Sequence, residues 1–285
     1  MTQEAVEKIF EAVAETAPHI YSGLLHRREY IQTENPSSED QLEADIWANE
    51  LLKEKITCID GVGEYASEEE HEVTGCGEGL SVAVDPLDGS SNIPTNNIVG
   101  TIVAVYDEKL PCSGRNIVSA FYVVFGPLIS IVRAENGEVN EYVVEGKKSN
   151  GIEIYLASEG LKLPEPKLYG FGGNNNWTEN FRKFENKISE QYKLRYGGAL
   201  VGDFNQILHY GGIFAYPSCK DAENGKYRLL FEGNPMAYIA EMAGGASTDG
   251  EKSILDVEAE DLHQRVPFHA GNTELINRLE EELKN

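Results

Sequence analysis

Little in this chain is basic: 24 Lys and Arg stand against 48 Asp and Glu, which leaves a formal charge of −24. A surface of that sign repels a phosphate backbone, and Lys147-Lys148 is the only adjacent pair of lysines, so nucleic acid is excluded as a primary partner. Cysteine is also scarce. Cys58, Cys76, Cys112 and Cys219 are scattered without CxxC spacing, which excludes a disulfide scaffold and a zinc ribbon. No apolar run approaches the roughly 18–20 residues that span a bilayer, so no membrane partner is expected. The opening MTQEAVEKIFEAVAE lacks the basic-then-apolar order of a signal peptide, and a cytoplasmic protein with reduced thiols is expected. What is present is an ordinary globular balance, 41% hydrophobic and 25% charged over 285 residues, enough for one large domain or two joined lobes.

Patterning mixes helix and strand along the whole length. Val6, Ile9, Phe10 and Val13 fall at helical spacing. A second helix is expected from Ser38, where Ser38-Glu39-Asp40-Gln41 has capping-box order ahead of the stripe Leu42, Ile46, Leu52 and Ile56. Asp45 falls on that stripe, where it either reaches a solvated rim or needs a partner, because a buried unpaired charge is costly. Strands are predicted for Leu80 to Val84 and Ile98 to Tyr106, and a hairpin for Leu128 to Val144 around Asn136-Gly137. Further helices are predicted over Phe181–Tyr192, capped by Thr178, and over Leu200–Leu208, ending at Gly211-Gly212. Strand-like Ile213–Tyr216 and Tyr227–Phe231 follow. A helix then opens at Asn234-Pro235, and an amphipathic one carries Leu275, Ile276, Leu279 and Leu283. The class is α/β in layers, with a soft boundary that gives lobes 1–160 and 161–285.

The chemistry concentrates in Val84-Asp85-Pro86-Leu87-Asp88-Gly89-Ser90-Ser91-Asn92. A buried-type strand delivers Asp85, Pro86 is expected to stop the ladder, and Asp88 returns three residues later. Gly89 permits a tight turn in which Ser90 and Ser91 offer amides and hydroxyls to an anion. Two carboxylates beside an anion-ready turn suit Mg²⁺ completed by phosphate oxygens. Upstream, Ser67-Glu68-Glu69-Glu70 is either a solvated acidic face or the source of one more ligand, Glu68 or Glu69. Downstream, Tyr227-Arg228-Leu229-Leu230-Phe231-Glu232 sets a cation and an anion around a strand, just before a helix start whose dipole can support an anion.

The longer motif DPLDGSSNI, with SEEE before it and LRYGGALVGD, YGGIFAYP, NGKYRLLFEGNPMAY and DLHQR after it, resembles class I fructose-1,6-bisphosphatase, within the Mg²⁺-dependent sugar and inositol phosphatases. The matches run in one order over about residues 35 to 271. The resemblance implies a layered α/β/α/β/α sandwich that works as a homotetramer and removes the 1-phosphate of fructose 1,6-bisphosphate in gluconeogenesis or carbon fixation. It implies two or more Mg²⁺ per site, with Mn²⁺ as an alternative, held by Glu68, Glu69, Asp85, the Leu87 carbonyl, Asp88 and Glu232. Asp45 and Glu69 match the pair that activates water. Asp88, Gly89, Ser90, Ser91 and Arg228 match contacts to the 1-phosphate. Asn174, Arg195, Tyr196, Tyr216 and Lys226 match the clamp on the sugar and distal phosphate, with Arg195 supplied to a neighbouring subunit.

The chain departs from the family pattern in places. Glu39 stands where Asp is usual, Pro94 where Asp is usual, and Ala199 where Ser is common. Asn174-Asn175-Asn176-Trp177 replaces Asn-Glu-Gly-Tyr, so an indole with one N–H donor takes the place of a phenol. The stretch from Thr95 to Gly100 and KLRYGGALVGDFNQIL is also similar to sedoheptulose-1,7-bisphosphatases, whereas YGGIFAYP and NPMAY favour the fructose enzyme. Many family members bind AMP among N-terminal helices. Here the Gly-Thr-Gly-Glu-like turn is lacking, Gly79-Leu80 replaces Lys-Tyr, and Asp107 replaces an Arg, so catalysis without AMP control is expected.

Overall fold

Alternation along the strands sets the layers. In the computed structural model, which describes residues 2–36, 40–146, 151–173, 176–220 and 222–284, Leu80, Val82 and Val84 face one core while Ala83 faces another. Ile102, Ala104 and Tyr106 likewise point away from Val103 and Val105. These strands belong to an eight-stranded sheet, antiparallel except where Val62–Ser67 runs parallel to Leu80–Asp88. Helices α1 (Thr2–Gly23) and α2 (Glu43–Ile56) cover its first face. Between the second face and a five-stranded sheet lie α4 (Leu200–Tyr210) and α5 (Asn234–Met242). The outer face of the smaller sheet is covered by α3 (Glu179–Ser189) and α6 (Thr273–Leu283). The order is α/β/α/β/α, as the resemblance implied.

Local signals succeeded where the chemistry is short-range. Asn136 and Gly137 both take positive φ, 51° and 85°, in a two-residue hairpin turn. The Thr178 hydroxyl accepts from the Phe181 amide at 3.3 Å and caps α3.

Three expectations need correction. Helix α2 begins at Glu43 rather than Ser38, because Asp40–Leu42 pairs as a strand with Tyr30–Glu34. Ser38 and Glu39 lie outside the described residues. Pro86 does not stop the ladder: the strand continues to Asp88 through a bulge in which Asp85 opposes Ile102 and Asp88 opposes Gly100. The Pro86 carbonyl finds the Thr101 hydroxyl at 2.9 Å, so the bulge is satisfied. Finally, the strand after Tyr227 ends at Arg228. Leu229–Gly233 forms a π-helical turn that runs straight into α5, so helical backbone starts five residues before Asn234.

Candidate active site

The bulge and the π turn aim carboxylates at one cavity of about 230 Å³. The strand Val62–Ser67 ends beside Val84, whose carbonyl accepts the Glu68 amide at 3.0 Å. That parallel pairing sets Glu68 next to Asp85. The π turn folds Glu232 back so that its Oε2 accepts the Arg228 amide at 2.6 Å. Oxygens of Glu68, Asp85 and Glu232 all lie within 4.8 Å of one another, and all three residues are buried. Asp88, Glu69, Asp45 and Leu87 line the same cavity, as do Gly89, Ser90, Ser91, Lys226 and Arg228.

The acidic run Glu68-Glu69-Glu70 divides by function. Glu68 and Glu69 face the cavity, whereas Glu70 turns to α2, where Asn49 Nδ2 at 2.9 Å and Lys53 Nζ at 2.7 Å hold its carboxylate. His263 Nε2 holds the Glu70 carbonyl at 2.8 Å from behind. Glu69 receives the amide of Gln41. Asp45, the inward acid on α2, is buried and accepts the Leu42 amide at 2.7 Å, so its partner is the first turn of its own helix.

Electrostatics follow from this crowding. Burial, then the Glu68 and Asp45 charges, push the Glu69 carboxyl up to about 8. Burial pushes Asp88 up to about 7, against the opposing pull of the Val201 and Leu200 amides. Asp85 and Glu232 are raised well above the usual range by burial and by neighbouring carboxylates. Arg228 Nη1 lies 2.9 Å from Glu68 and 3.8 Å from Glu232, one guanidinium against at least four acids. An over-acidic pocket whose anionic groups are all carboxylates fits a hard divalent cation.

A second cavity of about 450 Å³ is lined by Tyr196, Tyr216, Lys226, Gly172, Asn176 and Arg265, among others, and Lys226 borders both spaces. Lys226 Nζ lies 5.7 Å from the Tyr216 ring centroid. Gly172 is required here, since a Cβ would stand 2.3 Å from the Tyr216 ring and 2.8 Å from the Tyr196 hydroxyl. Asn174 lies outside the described residues. Arg195 borders neither cavity; it is exposed, and its Nη1 donates to Gln206 at 3.0 Å. The one N–H of Trp177 donates to the Gly172 carbonyl at 2.6 Å, so the indole braces the wall of this cavity.

Residues that sequence reasoning missed also line the sites: Tyr30, Asn35, Gln41, Gly198 and Tyr227 in the first cavity, Asn176 and Arg265 in the second. Gln41 stood inside the stretch taken for a capping box, and its role follows from strand pairing, which no local pattern announces. Asp88 does more than line the cavity: its Oδ2 accepts the Val201 amide at 2.7 Å and closes the first turn of α4.

Comparison with known proteins agrees with this arrangement. The family models for the N-terminal and C-terminal domains of fructose-1-6-bisphosphatase match residues 22–152 and 163–284. The chain is 48% identical over 284 residues to a class 1 fructose-1,6-bisphosphatase of Natronomonas pharaonis, covering 98% of this chain and 99% of that one. It is 42% identical to a counterpart in Haloarcula marismortui, over 98% and 94% of the two chains. The fold superposes on the holo form of Leishmania major fructose-1,6-bisphosphatase with a TM-score of 0.92 at 26% identity, covering 100% of this chain and 95% of the other.

Proposed function

Because this chain belongs to the class 1 fructose-1,6-bisphosphatase family, we propose that it removes the 1-phosphate of fructose 1,6-bisphosphate, giving fructose 6-phosphate and phosphate. It is a phosphoric monoester hydrolase of that family, and the sedoheptulose alternative is not favoured by its relatives. The observation that carries the reading is the pair of cavities joined at Lys226, one rich in carboxylates and one lined by tyrosines and cations. A monophosphatase has no use for the second.

Glu68, Asp85 and Glu232, whose oxygens converge within 4.8 Å, are the residues to hold Mg²⁺, joined by Glu69, Asp88 and the Leu87 carbonyl from the lining of the same cavity. When bound, the cation neutralises phosphoryl charge and makes water a stronger nucleophile. The remaining work belongs to the chain. Asp45 and Glu69 face the cavity, where, with Glu69 kept ionised by a bound cation, the pair would take up the single proton released by the attacking water. The turn Gly89-Ser90-Ser91, with Arg228, binds the 1-phosphate; an arginine can do so bidentately. Lys226 supplies a point charge, and Tyr196 and Tyr216 complete the grip on the sugar and distal phosphate. Arg195 serves the site of a neighbouring subunit in a homo-oligomer, a reading supported by its exposure between exposed Leu194 and Tyr196. Among the described residues no helix is long and apolar enough to cross a membrane.

Phosphate release from fructose 1,6-bisphosphate, sedoheptulose 1,7-bisphosphate and hexose monophosphates, each with and without Mg²⁺, tests the reading. Metal-dependent release is expected, fastest from the fructose bisphosphate. Equal rates on monophosphates would refute it.

A further inference from the structure

The turn between Tyr196 and α4 is gripped from two sides. Asp203, in the first turn of α4 and 3% exposed, accepts the Gly197 amide through Oδ1 at 2.6 Å and the Gly198 amide through Oδ2 at 3.0 Å. From the opposite side, Asn92 and Asn97 donate to the Gly197 carbonyl at 3.0 and 3.2 Å. Gly198 sits at φ +86°, a conformation that favours glycine, and borders the first cavity. The turn is therefore pinned as a unit rather than left as a loop.

Its position gives the pinning a consequence. On its C-terminal side, Ala199 abuts Gly89, where a Cβ would stand 2.4 Å from the Ala199 Cβ, and Val201 donates to Asp88. On its N-terminal side, the Arg195 amide donates to the Tyr169 carbonyl at 2.8 Å, and Tyr196 forms a wall of the second cavity. The Tyr196–Ala199 segment thus spans from the anion turn to the tyrosine-lined cavity. A buried carboxylate is costly to keep, and burial pushes Asp203 up to about 6 even with two amide bonds pulling the other way.

We propose that Asp203 is a positioning residue that fixes the separation of the two phosphate subsites through the Gly197–Gly198 peptide, and so sets the preference for substrates bearing two phosphates. The inference rests on the two-subsite reading above. It predicts that loosening the turn weakens the distal grip while leaving the hydrolytic machinery intact.

Asp203→Asn keeps one acceptor but turns an N–H toward the other amide, releasing half of the grip. The double variant Asn92→Ala/Asn97→Ala releases the carbonyl from the other side with little buried area at stake, and it provides the test should Asp203→Asn fail to fold. Either is expected to raise KM for fructose 1,6-bisphosphate by about tenfold or more with kcat within about threefold, the pattern of lost uniform binding. Hydrolysis of p-nitrophenyl phosphate, which lacks a distal phosphate, stays at the wild-type rate. Calorimetric binding of fructose 6-phosphate to the metal-free protein weakens in parallel, whereas inorganic phosphate binds as in wild type. Unchanged KM and fructose 6-phosphate affinity in the folded variants overturn the role of Asp203, as does an equal loss on both substrates. Should the wild-type protein itself show no preference for the bisphosphate, the two-subsite reading fails and takes this inference with it.

Discussion

The stability of the metal-free protein should fall as pH rises, and Mg²⁺ should reverse the loss. Each pK unit of displacement corresponds to about 1.4 kcal/mol. Glu69 is moved from 4.5 up to about 8 by burial and by the Glu68 and Asp45 charges. Asp88 is moved from 3.8 up to about 7 by burial. Ionising both in the folded, metal-free chain therefore costs on the order of several kcal/mol, shared between them because they belong to one acidic cluster. The sign follows from linkage: the folded-state values lie above the unfolded ones, so the folded chain holds more protons between them. Stability is fully present below about pH 4 and is lost as pH rises through about 7–8. For a chain of this size 1 kcal/mol shifts Tm by roughly 2 °C, so a fall on the order of 5–10 °C is expected between about pH 5 and about pH 8 in EDTA. Mg²⁺ binds the ionised carboxylates, so its stabilisation is larger at the higher pH. Thermal unfolding by circular dichroism, with EDTA or Mg²⁺ at both pH values, measures it. Glu69→Gln should flatten the metal-free slope, which separates the site from the general repulsion of a chain of charge −24. A metal-free Tm that rises with pH, or equal Mg²⁺ shifts at both pH values, refutes the reasoning.

Asp88→Ala should lower turnover by at least about a hundredfold, as expected for lost electrostatic stabilisation, while the Val201 amide in the first turn of α4 loses its acceptor; steady-state kinetics on the folded variant read the loss. Arg195→Ala should chiefly raise KM for the bisphosphate, and mixing it with the Asp88→Ala protein should recover activity in exchanged oligomers; no recovery where subunits demonstrably exchange would place Arg195 in its own chain's site. AMP should leave phosphate release unchanged up to millimolar concentration. Gly79 lies at φ +146°, and a Cβ there would stand 2.0 Å from the Gly61 carbonyl oxygen, so the position cannot carry the lysine usual in the family without moving backbone. Inhibition at micromolar AMP, abolished by substitutions in α1, would contradict this.

Much of the fold and the heart of the site were legible in the sequence because their causes are local. Near-continuous apolar runs marked which strands bury both faces, Asn136-Gly137 favoured a primed turn, and Thr178 could cap because its hydroxyl reaches an amide three residues on. Asp85, Asp88 and the Gly89-Ser90-Ser91 turn announced themselves by order alone. Tertiary structure decided everything that depended on which distant groups share one low-dielectric space. Glu68 and Glu70 are two residues apart in the same acidic run, yet parallel pairing with the Leu80–Asp88 strand buries one beside Asp85, while α2 captures the other through Asn49 and Lys53. Glu232 reaches the cluster because a π turn, not a strand, follows Arg228. Trp177 commits its indole N–H to Gly172, and Asp203, which falls on the apolar stripe of its helix as Asp45 does, finds its partners in two glycine amides that no spacing rule names. Propensity and turn chemistry act over a few residues and are written in order along the chain. The worth of a charge depends on burial and on its neighbours in space, and only packing supplies those.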